Sequence, residues 1–241
     1  MKVELLSYTP NPELLVAAAA RTCYSKKPGS KIIKKITSKK ASKLIKKLVK
    51  IGHHSILEHA VFTFSVEGVS RACTHQLVRH RIASYSQQSQ RYVSLGNSNF
   101  VVPPTIRKDQ KTSEIFNRIV EEARNAYKKL LELGIPEEDA RYIIPQAVQT
   151  NIVVTMNARE LLHFFKLRCC MRAQWEIRAL AWRMLSLVKK VAPTIFENAG
   201  PPCISEGICP EEEFPCKLRE VLKRGGKSGN TAKTDNSNNR S

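Results

Sequence analysis

The sequence predicts an α/β (α+β) fold with a single domain, in which helices flank a small, mainly antiparallel or mixed sheet. Apolar residues recur at helical spacing over much of the chain, most regularly in residues 113–133 and 157–191. Residues 60–67, AVFTFSVE, alternate as a half-buried strand does. With 241 residues, of which 42% are hydrophobic, the chain is long and apolar enough to bury one sizeable core.

Turn residues separate short elements in the first half of the chain. Ser55 and Glu58 have the spacing of a capping box, and Phe62 and Phe64 form one aromatic face of a strand. The predicted elements are a strand at residues 3–7, a helix at about 12–23, a basic helix at about 38–52, a turn at 55–58, a strand at 60–67 and a helix at 70–80.

The second half of the chain is predicted to be mostly helical. Asn157 is a suitable cap for the longest helix, Glu160 stands in the position that answers the cap, and Pro193 ends the helix. One stripe of the helix at 113–133 is expected to face the core, namely Ile115, Ile119, Ala123, Ala126 and Leu130. The predicted elements are an irregular polar segment at 82–92, a strand near 100–104, a helix at 113–133, a short helix at 136–144 and a long helix at about 157–191.

Composition divides the chain into one domain and a tail. We predict a domain over residues 1–222, with a core to about residue 200 and a cysteine-containing arm at 200–222. Residues 223–241 are rich in Gly, Ser, Asn and Lys and are predicted to form a disordered basic tail, because they offer almost nothing apolar to bury.

The chain lacks the features of a membrane or secreted protein. No apolar run approaches the roughly 20 residues that span a bilayer. The N-terminus carries Glu4, Glu13 and two prolines where a signal peptide has an uninterrupted apolar segment. Seven cysteines cannot all pair in disulfides. We therefore expect a protein of the reducing cytoplasm.

The net charge of +19 raises nucleic acid as a possible partner. Much of the charge lies in residues 26–50, where lysines alternate with apolar residues, as on a solvated helix face. That segment lacks the interleaved aromatic residues of single-strand binding surfaces, so nucleic-acid binding is kept only as an alternative. Residues 68–108 contain no Asp or Glu but several arginines, which favours a small-anion site.

The densest polar cluster lies at residues 79–92, RHRIASYSQQSQRY. It contains three arginines, one histidine, three serines and three glutamines. Serine and backbone donors of such a loop suit phosphate oxygens, and glutamine amides suit the edge of a heterocycle. An ordinary polar surface loop would have a similar composition.

The pattern RHR, seven residues, then S-x-R and Tyr closely resembles the signature of the flavin-dependent thymidylate synthases. The resemblance covers about residues 1–200, and further matching segments follow in the same order: Gly52-His53-His54-Ser55 with Glu58-His59, Asp139-Ala140-Arg141, Asn157-Ala158-Arg159, Leu167-Arg168, and Ala173 to Arg178. It implies a cytoplasmic homotetramer whose active sites are shared between subunits. It also implies that FAD, NADPH and methylenetetrahydrofolate are used to methylate dUMP to dTMP.

The same resemblance implies the roles of individual residues. FAD would be bound by Ser55, Arg79, His80, Arg81, Gln87, Asn157, Ala158, Arg159 and His163, with His53 and Glu58 close by. The substrate dUMP would be bound by Gln76, Leu77, Val78, Arg79, Gln87, Gln88, Ser89, Gln90, Arg91, Arg141 and Arg168. Arg168 would be the catalytic residue that activates the pyrimidine. The chain departs from the usual pattern at Ser86 and Gln87, where relatives often have Asn and Glu, so a family member that binds ligands without catalysis is a further alternative. It also departs at Arg172, where many relatives have His.

We predict no metal. His53, His54 and His59 with Glu58 lack the H-E-x-x-H spacing of a zinc site. The arm cysteines, Cys203-x5-Cys209-x6-Cys216, lack the C-x2-C spacing typical of zinc and iron–sulfur sites. Their spacing favours thiols that are free or that pack the arm.

Overall fold

A four-stranded antiparallel sheet forms the centre of the computed structural model, which describes residues 1–210 and residue 216. The strands are β1 (Lys2–Tyr8), β2 (Val61–Ser70), β3 (Ala83–Gln87) and β4 (Gln149–Asn157), in the order β1-β2-β4-β3. The expected α/β class with a small antiparallel sheet is confirmed. The predicted tail at 223–241 lies outside the described residues, as does most of the arm beyond residue 210.

Ten α-helices and two short 3-10 helices are present among the described residues. The helices are α1 (Pro12–Thr22), α2 (Gly29–Ile33), α3 (Ser38–Lys50), α4 (Arg71–Leu77), α5 (Pro104–Arg107), α6 (Gln110–Glu132), α7 (Glu137–Ala140), α8 (Ala158–Arg168), α9 (Trp175–Val191) and α10 (Pro202–Ser205). The 3-10 helices are Ser55–His59 and Arg141–Ile143. None of these helices is both long and apolar enough to cross a membrane.

One face of the sheet is buried under helices. Phe62, Phe64 and Val66 of β2 pack in one core with Val154 and Met156 of β4. Helices α1, α3, α8 and α9 contribute the other side of this core. Side chains on opposite faces of a strand alternate, so the two central strands supply every second residue to the core.

The predicted stripe of α6 is wrong in its first half. Ile115 and Ile119 are 56% and 48% exposed, whereas Val120 and Tyr127 are buried. Only the later turns of α6 pack against a second, smaller core that contains Tyr127, Leu95 and Val148. Periodicity identified the helix but not the length over which a neighbour covers it.

The single long helix predicted at 157–191 is also wrong, because the chain leaves the helix between Arg168 and Trp175. The Gln174 side chain accepts hydrogen bonds from the backbone N–H groups of Glu176 and Ile177, at 2.9 and 3.2 Å, and thereby caps α9. Arg178 donates from Nη1 to two carbonyl oxygens of the intervening loop. The break leaves Arg168 as the last residue of α8 rather than a mid-helix residue.

Other segments differ more locally from the predictions. The polar segment at 82–92 begins with an edge strand, β3, and the strand expected at 100–104 is a single bridge between Phe100 and Val148. The helix expected at 70–80 ends at Leu77. Strand β4 is absent from the predicted elements, although it is central to the sheet.

The start of α4 is fixed by a buried carboxylate. Glu176 of α9 accepts a hydrogen bond from the Ser70 backbone N–H at 2.8 Å and another from the Ser70 hydroxyl at 2.5 Å. The same hydroxyl oxygen caps α4 by accepting from the Cys73 N–H at 3.0 Å. Because α4 leads into residues 76–81, this network sets the position of the segment that carries the RHR motif.

We expect Phe62→Ala to lower the free energy of unfolding by about 3–5 kcal/mol, because it empties a fully buried position and removes an edge-to-face contact with Phe196 at 5.5 Å. Urea unfolding followed by circular dichroism measures the change. Tyr24→Ala is the control, since Tyr24 is 83% exposed and its loss should cost no more than about 0.5 kcal/mol. A loss below about 1 kcal/mol for Phe62→Ala would contradict this packing.

Candidate active site

The edge strand β3 presents the glutamine-rich loop in a fixed position. Gln87 donates from Nε2 to the Thr74 hydroxyl at 2.9 Å and more weakly to the Thr150 hydroxyl at 3.4 Å. The Gln88 backbone N–H donates to the Asn151 carbonyl at 2.9 Å. The amide of Gln87 is therefore tied to α4 and β4, and the residues after it leave the sheet in a defined direction.

Three guanidinium groups gather near the end of this loop. Arg91 donates from Nε to a Glu138 carboxylate oxygen at 2.7 Å, and Arg141 donates from Nε to the Glu138 carbonyl oxygen at 2.9 Å. Burial lowers the pKa of Arg71, and the nearby positive charge of Arg141 lowers it further. Like charges held together in this way favour binding of an anion.

Arg71 was not among the predicted site residues. It is the first residue of α4 and is half-buried beside Arg141. The available signal was its place in the acid-free stretch of residues 68–108. The proximity to Arg141 could not be predicted, because the two residues are far apart in sequence.

A buried histidine connects a glutamate to Arg168. His80 is only 4% exposed, and its Nδ1 lies 3.1 Å from Oε1 of Glu160. Arg168 donates from Nε to His80 Nε2, also at 3.1 Å. Both ring nitrogens of His80 are therefore hydrogen-bonded. Nδ1 is bonded to Glu160, in the first turn of α8, and Nε2 is bonded to Arg168, the last residue of the same helix.

These two contacts define the protonation state of the ring. An arginine Nε–H can only donate, so Nε2 of His80 must be the unprotonated acceptor, and Nδ1 carries the proton that is donated to Glu160. The pKa of His80 is lowered to about 4, first by burial and then by the positive charges of Arg168 and His163. Burial raises the pKa of Glu160. The imidazole is thus neutral at neutral pH and can hold the guanidinium.

Aromatic groups enclose the same ring. Phe164 meets His80 edge to face with ring centroids 4.9 Å apart, and the His163 ring centroid lies at 5.7 Å. The Tyr85 hydroxyl donates to the carbonyl oxygens of Leu77 and His80, at 2.9 and 2.8 Å. Burial raises the pKa of Tyr85, so this hydroxyl remains a donor. The RHR segment is therefore locked to β3 as well as to α8.

A large cavity of about 1140 Å³ opens on the other side of Glu160. Four residues predicted from the resemblance line it: Glu58, Asn157, Arg159 and His163. Its cationic lining comes from Lys46, Lys50, Lys166 and Arg159, and its apolar lining includes Val49, Ile82, Leu162 and Ile195. Basic groups beside apolar side chains are the features that a ligand with phosphates and an aromatic ring system requires.

Two local predictions at this cavity are corrected by the structure. Glu58 does not cap the turn that begins at Ser55; instead its carboxylate accepts from Nη1 of Arg159 at 2.5 Å. Asn157 does cap α8, by accepting from the Glu160 N–H at 2.9 Å. The Glu160 carboxylate does not answer that cap but turns inward to His80. In both cases the carboxylate is hydrogen-bonded to a residue distant in sequence instead of to the nearby backbone N–H group.

The remaining predicted residues differ in their exposure to solvent. The exposed ones are His53, Ser55, Val78, Arg79, Arg81 and Arg91, and the partly exposed ones are Gln76, Gln88, Ser89, Gln90, Arg141 and Arg168. Leu77 and Ala158 are fully buried, so only their main-chain atoms could contact a ligand. His80 is in the same position, because its ring is closed in by protein on both sides.

The arginines of the loop and the large cavity with its basic lining suit anionic, nucleotide-sized ligands. Residues 4–194 match the family model described as thymidylate synthase complementing protein. The chain is 52% identical to the flavin-dependent thymidylate synthase of Geobacter sulfurreducens, over 93% of this chain and 97% of that protein. It is 48% and 46% identical to the proteins of the same name from Clostridium tetani and Pyrococcus furiosus, over 93% of this chain and 96% of each relative.

The chain therefore belongs to the family of flavin-dependent thymidylate synthases. The resemblance inferred from the RHR loop and its accompanying segments is confirmed. The chain is therefore an enzyme of this family. The net charge, which raised nucleic-acid binding as an alternative, does not define its class.

We expect the stabilising effect of His80 to weaken in acid. Its native pKa of about 4 lies below the ordinary value of 6.5, so the unfolded chain binds more protons between these values and stability falls as the pH falls through that window. His80→Gln removes this titration, whereas Glu160, His163 and Arg168 remain in both proteins. The stability difference between wild type and His80→Gln should be smaller at pH 5 than at pH 7.5 by on the order of 1–2 kcal/mol.

Urea unfolding at the two pH values measures this difference. His75→Gln, at an exposed histidine of α4, serves as the control and should stay within about 0.5 kcal/mol of wild type at both. An equal cost of His80→Gln at pH 5 and 7.5 would show that the native imidazole is not held neutral.

Proposed function

We propose that the protein converts dUMP to dTMP by reductive methylation, with methylenetetrahydrofolate as the one-carbon donor and NADPH-reduced FAD as the hydride source. The observation that carries the proposal is the guanidinium of Arg168, held by a buried neutral histidine whose other partner, Glu160, lines a large cavity with a basic lining. Membership of the family indicates the class of reaction. The geometry of the site supports a role in that reaction for particular residues.

The arginine-rich loop would bind dUMP. Arg71, Arg91 and Arg141 offer guanidinium donors for the phosphate, for which their fork geometry is well suited. Gln88, Ser89 and Gln90 are partly exposed beside them and carry the donors and acceptors that a pyrimidine edge needs. Arg91 is already paired with Glu138, so phosphate binding there would exchange one anionic partner for another.

Arg168 would activate the pyrimidine. Carbon 5 of uracil becomes nucleophilic when negative charge on the ring oxygens or N3 is stabilised, and a guanidinium stays charged at any cellular pH. The Nε–H of Arg168 is used by His80, which leaves the terminal nitrogens to face the substrate in a fixed orientation. In this scheme His80 and Glu160 are positioning residues.

Ser89 is not proposed as a nucleophile. Its hydroxyl oxygen accepts a hydrogen bond from the Arg91 backbone N–H at 3.1 Å, as in a loop turn. No imidazole or carboxylate is recorded in a hydrogen bond to it among the described residues, so no base there would activate it. A role in binding phosphate or pyrimidine fits its position better.

The large cavity fits FAD in volume, charge and polarity. Arg159, His163 and Asn157 line the cavity and would contact the cofactor. Ser55, His53, Arg79 and Arg81 are exposed but are not part of this lining, so the family resemblance alone supports their contact with FAD. When bound, the flavin supplies the hydride that completes the methyl group. The apolar lining at Ile82, Leu162 and Ile195 would exclude water from the face of the ring system.

We further propose a cytoplasmic homotetramer with shared active sites. Several large apolar side chains near the site are exposed on a single chain, among them Ile82 at 68%, Tyr92 at 79% and Tyr142 at 82%. Large apolar side chains that form one exposed patch mark a surface for a protein partner, and these residues would be covered in the proposed tetramer. Light scattering on a sizing column should give four times the mass of one chain.

Purified protein should be yellow and should form dTMP from dUMP, methylenetetrahydrofolate and NADPH. The flavin absorbs at about 450 nm, and dUMP should shift this band because hydride transfer requires the pyrimidine and the flavin to lie together in one site. Protein that retains flavin and the tetramer but makes no dTMP would overturn the proposed reaction, and would leave a ligand-binding family member without catalysis.

Arg168→Ala should lower kcat by about 10²–10³-fold, because it removes a fixed positive charge that stabilises charge on the ring. Flavin content should stay near that of wild type. Arg183→Ala is the matched control, since Arg183 of α9 is exposed and donates to the Met1 carbonyl at 2.9 Å, away from the site. Near-normal turnover of Arg168→Ala would show that the catalytic role is misassigned.

A further inference from the structure

Four of the seven cysteines line one cavity of about 300 Å³. Cys170 lies in the loop between α8 and α9, Cys203 lies in α10, and Cys209 and Cys216 follow in the arm. The site therefore combines three cysteines of the arm with one from the main domain. The other three cysteines, Cys23, Cys73 and Cys169, do not line this cavity.

The four thiols come from two parts of the chain and share one cavity. Thiolates gathered in one cavity repel one another unless a cation is bound among them. A thiophilic metal centre supplies such a cation, because its ligands are thiolates and its binding drives the loss of their protons.

The walls of this cavity suit a metal centre with net negative charge. Lys166, Arg168 and Arg172 provide cationic groups, and Leu167, Met171 and the prolines beside Cys203 and Cys209 provide an apolar surround. Basic side chains offset the charge of several thiolates, and an apolar wall limits access of water to the sulfur atoms.

The spacing of the thiols distinguishes a cluster from a single ion. A zinc ion holds each sulfur at about 2.3 Å and so draws four sulfurs close together. Among the described residues, no three His, Cys, Asp or Glu side chains are placed closely enough to hold one metal ion. The four thiols line a cavity of about 300 Å³, which is much larger than an ion and has room for a cubic iron–sulfur cluster.

We propose that Cys170, Cys203, Cys209 and Cys216 bind a four-iron, four-sulfide cluster. On ligation each thiol gives its proton to solvent and forms one Fe–S bond. The reactants supplied to the site are two ferrous ions, two ferric ions and four sulfide ions, so the cluster forms in its 2+ state with no change of oxidation state. The cluster fastens the arm to the α8–α9 loop immediately beside Arg168, which shares the wall of this cavity. It therefore stabilises the end of α8, where Arg168 also contacts His80.

The sequence alone argued against a metal here, because the arm spacings of five and six residues are not those of common metal motifs. The fourth ligand, Cys170, lies in the other part of the chain and joins the set only in the folded protein. The present proposal therefore replaces the expectation of thiols without a metal.

The full-length protein should be purified without oxygen and analysed for iron, acid-labile sulfide and zinc, before and after reconstitution with ferrous iron, ferric iron and sulfide. We expect about four iron and four sulfide per chain. Mössbauer spectra of ⁵⁷Fe protein and electron paramagnetic resonance after dithionite reduction identify the cluster without interference from the flavin band.

Cys203→Ser should lose at least three quarters of the bound iron, and Cys23→Ser, at an exposed cysteine far from the cavity in sequence, should retain it all. One zinc per chain without sulfide would overturn the cluster, as would wild-type protein that binds no iron after reconstitution. These results do not depend on a variant folding. Flavin content and dTMP formation, measured on the same samples, test the proposed reaction separately.

Discussion

The hydrogen bonds from Arg168 to His80 and from His80 to Glu160 are the constraint on which the rest of the site depends. A neutral histidine between a carboxylate and a guanidinium has only one tautomer that satisfies both contacts. The carboxylate therefore orients the ring, and the ring orients the guanidinium. The arrangement is stable because the ring is buried, which keeps it uncharged beside Arg168. A guanidinium oriented in this way needs no rearrangement when charge develops on a bound ring.

The fold places the three members of this chain by independent means. Asn157 caps α8 and so fixes the turn that carries Glu160. The buried Glu176 fixes the start of α4, and Tyr85 ties the end of the RHR segment to β3, which together position His80. Helix α8 ends at Arg168, and the cysteine cavity lies against the loop that follows. Sheet, caps and loop thus converge on one guanidinium.

Much of the fold could be predicted from pattern, and the errors have physical causes. Strand β4 alternates buried Ile152, Val154 and Met156 with more exposed positions, so a strand signal is present in the sequence although the prediction missed it. In β3, Ser and Gln dominate, and only pairing with β4 makes it extended. The break between α8 and α9 depends on the Gln174 side chain acting as a cap, and hydrophobic periodicity carries no information about such a contact.

The sequence by itself determined the class of fold, the family and the identity of the polar residues at 79–92, because these depend on local spacing and on residue chemistry. Tertiary structure alone decided that His80 is buried and holds the Arg168 guanidinium, and that Arg71 lies close to Arg141. It alone brought Cys170 to the three cysteines of the arm. Each of these depends on contacts between residues distant in the chain, and burial and electrostatics act through distance in space, which spacing along a sequence does not record.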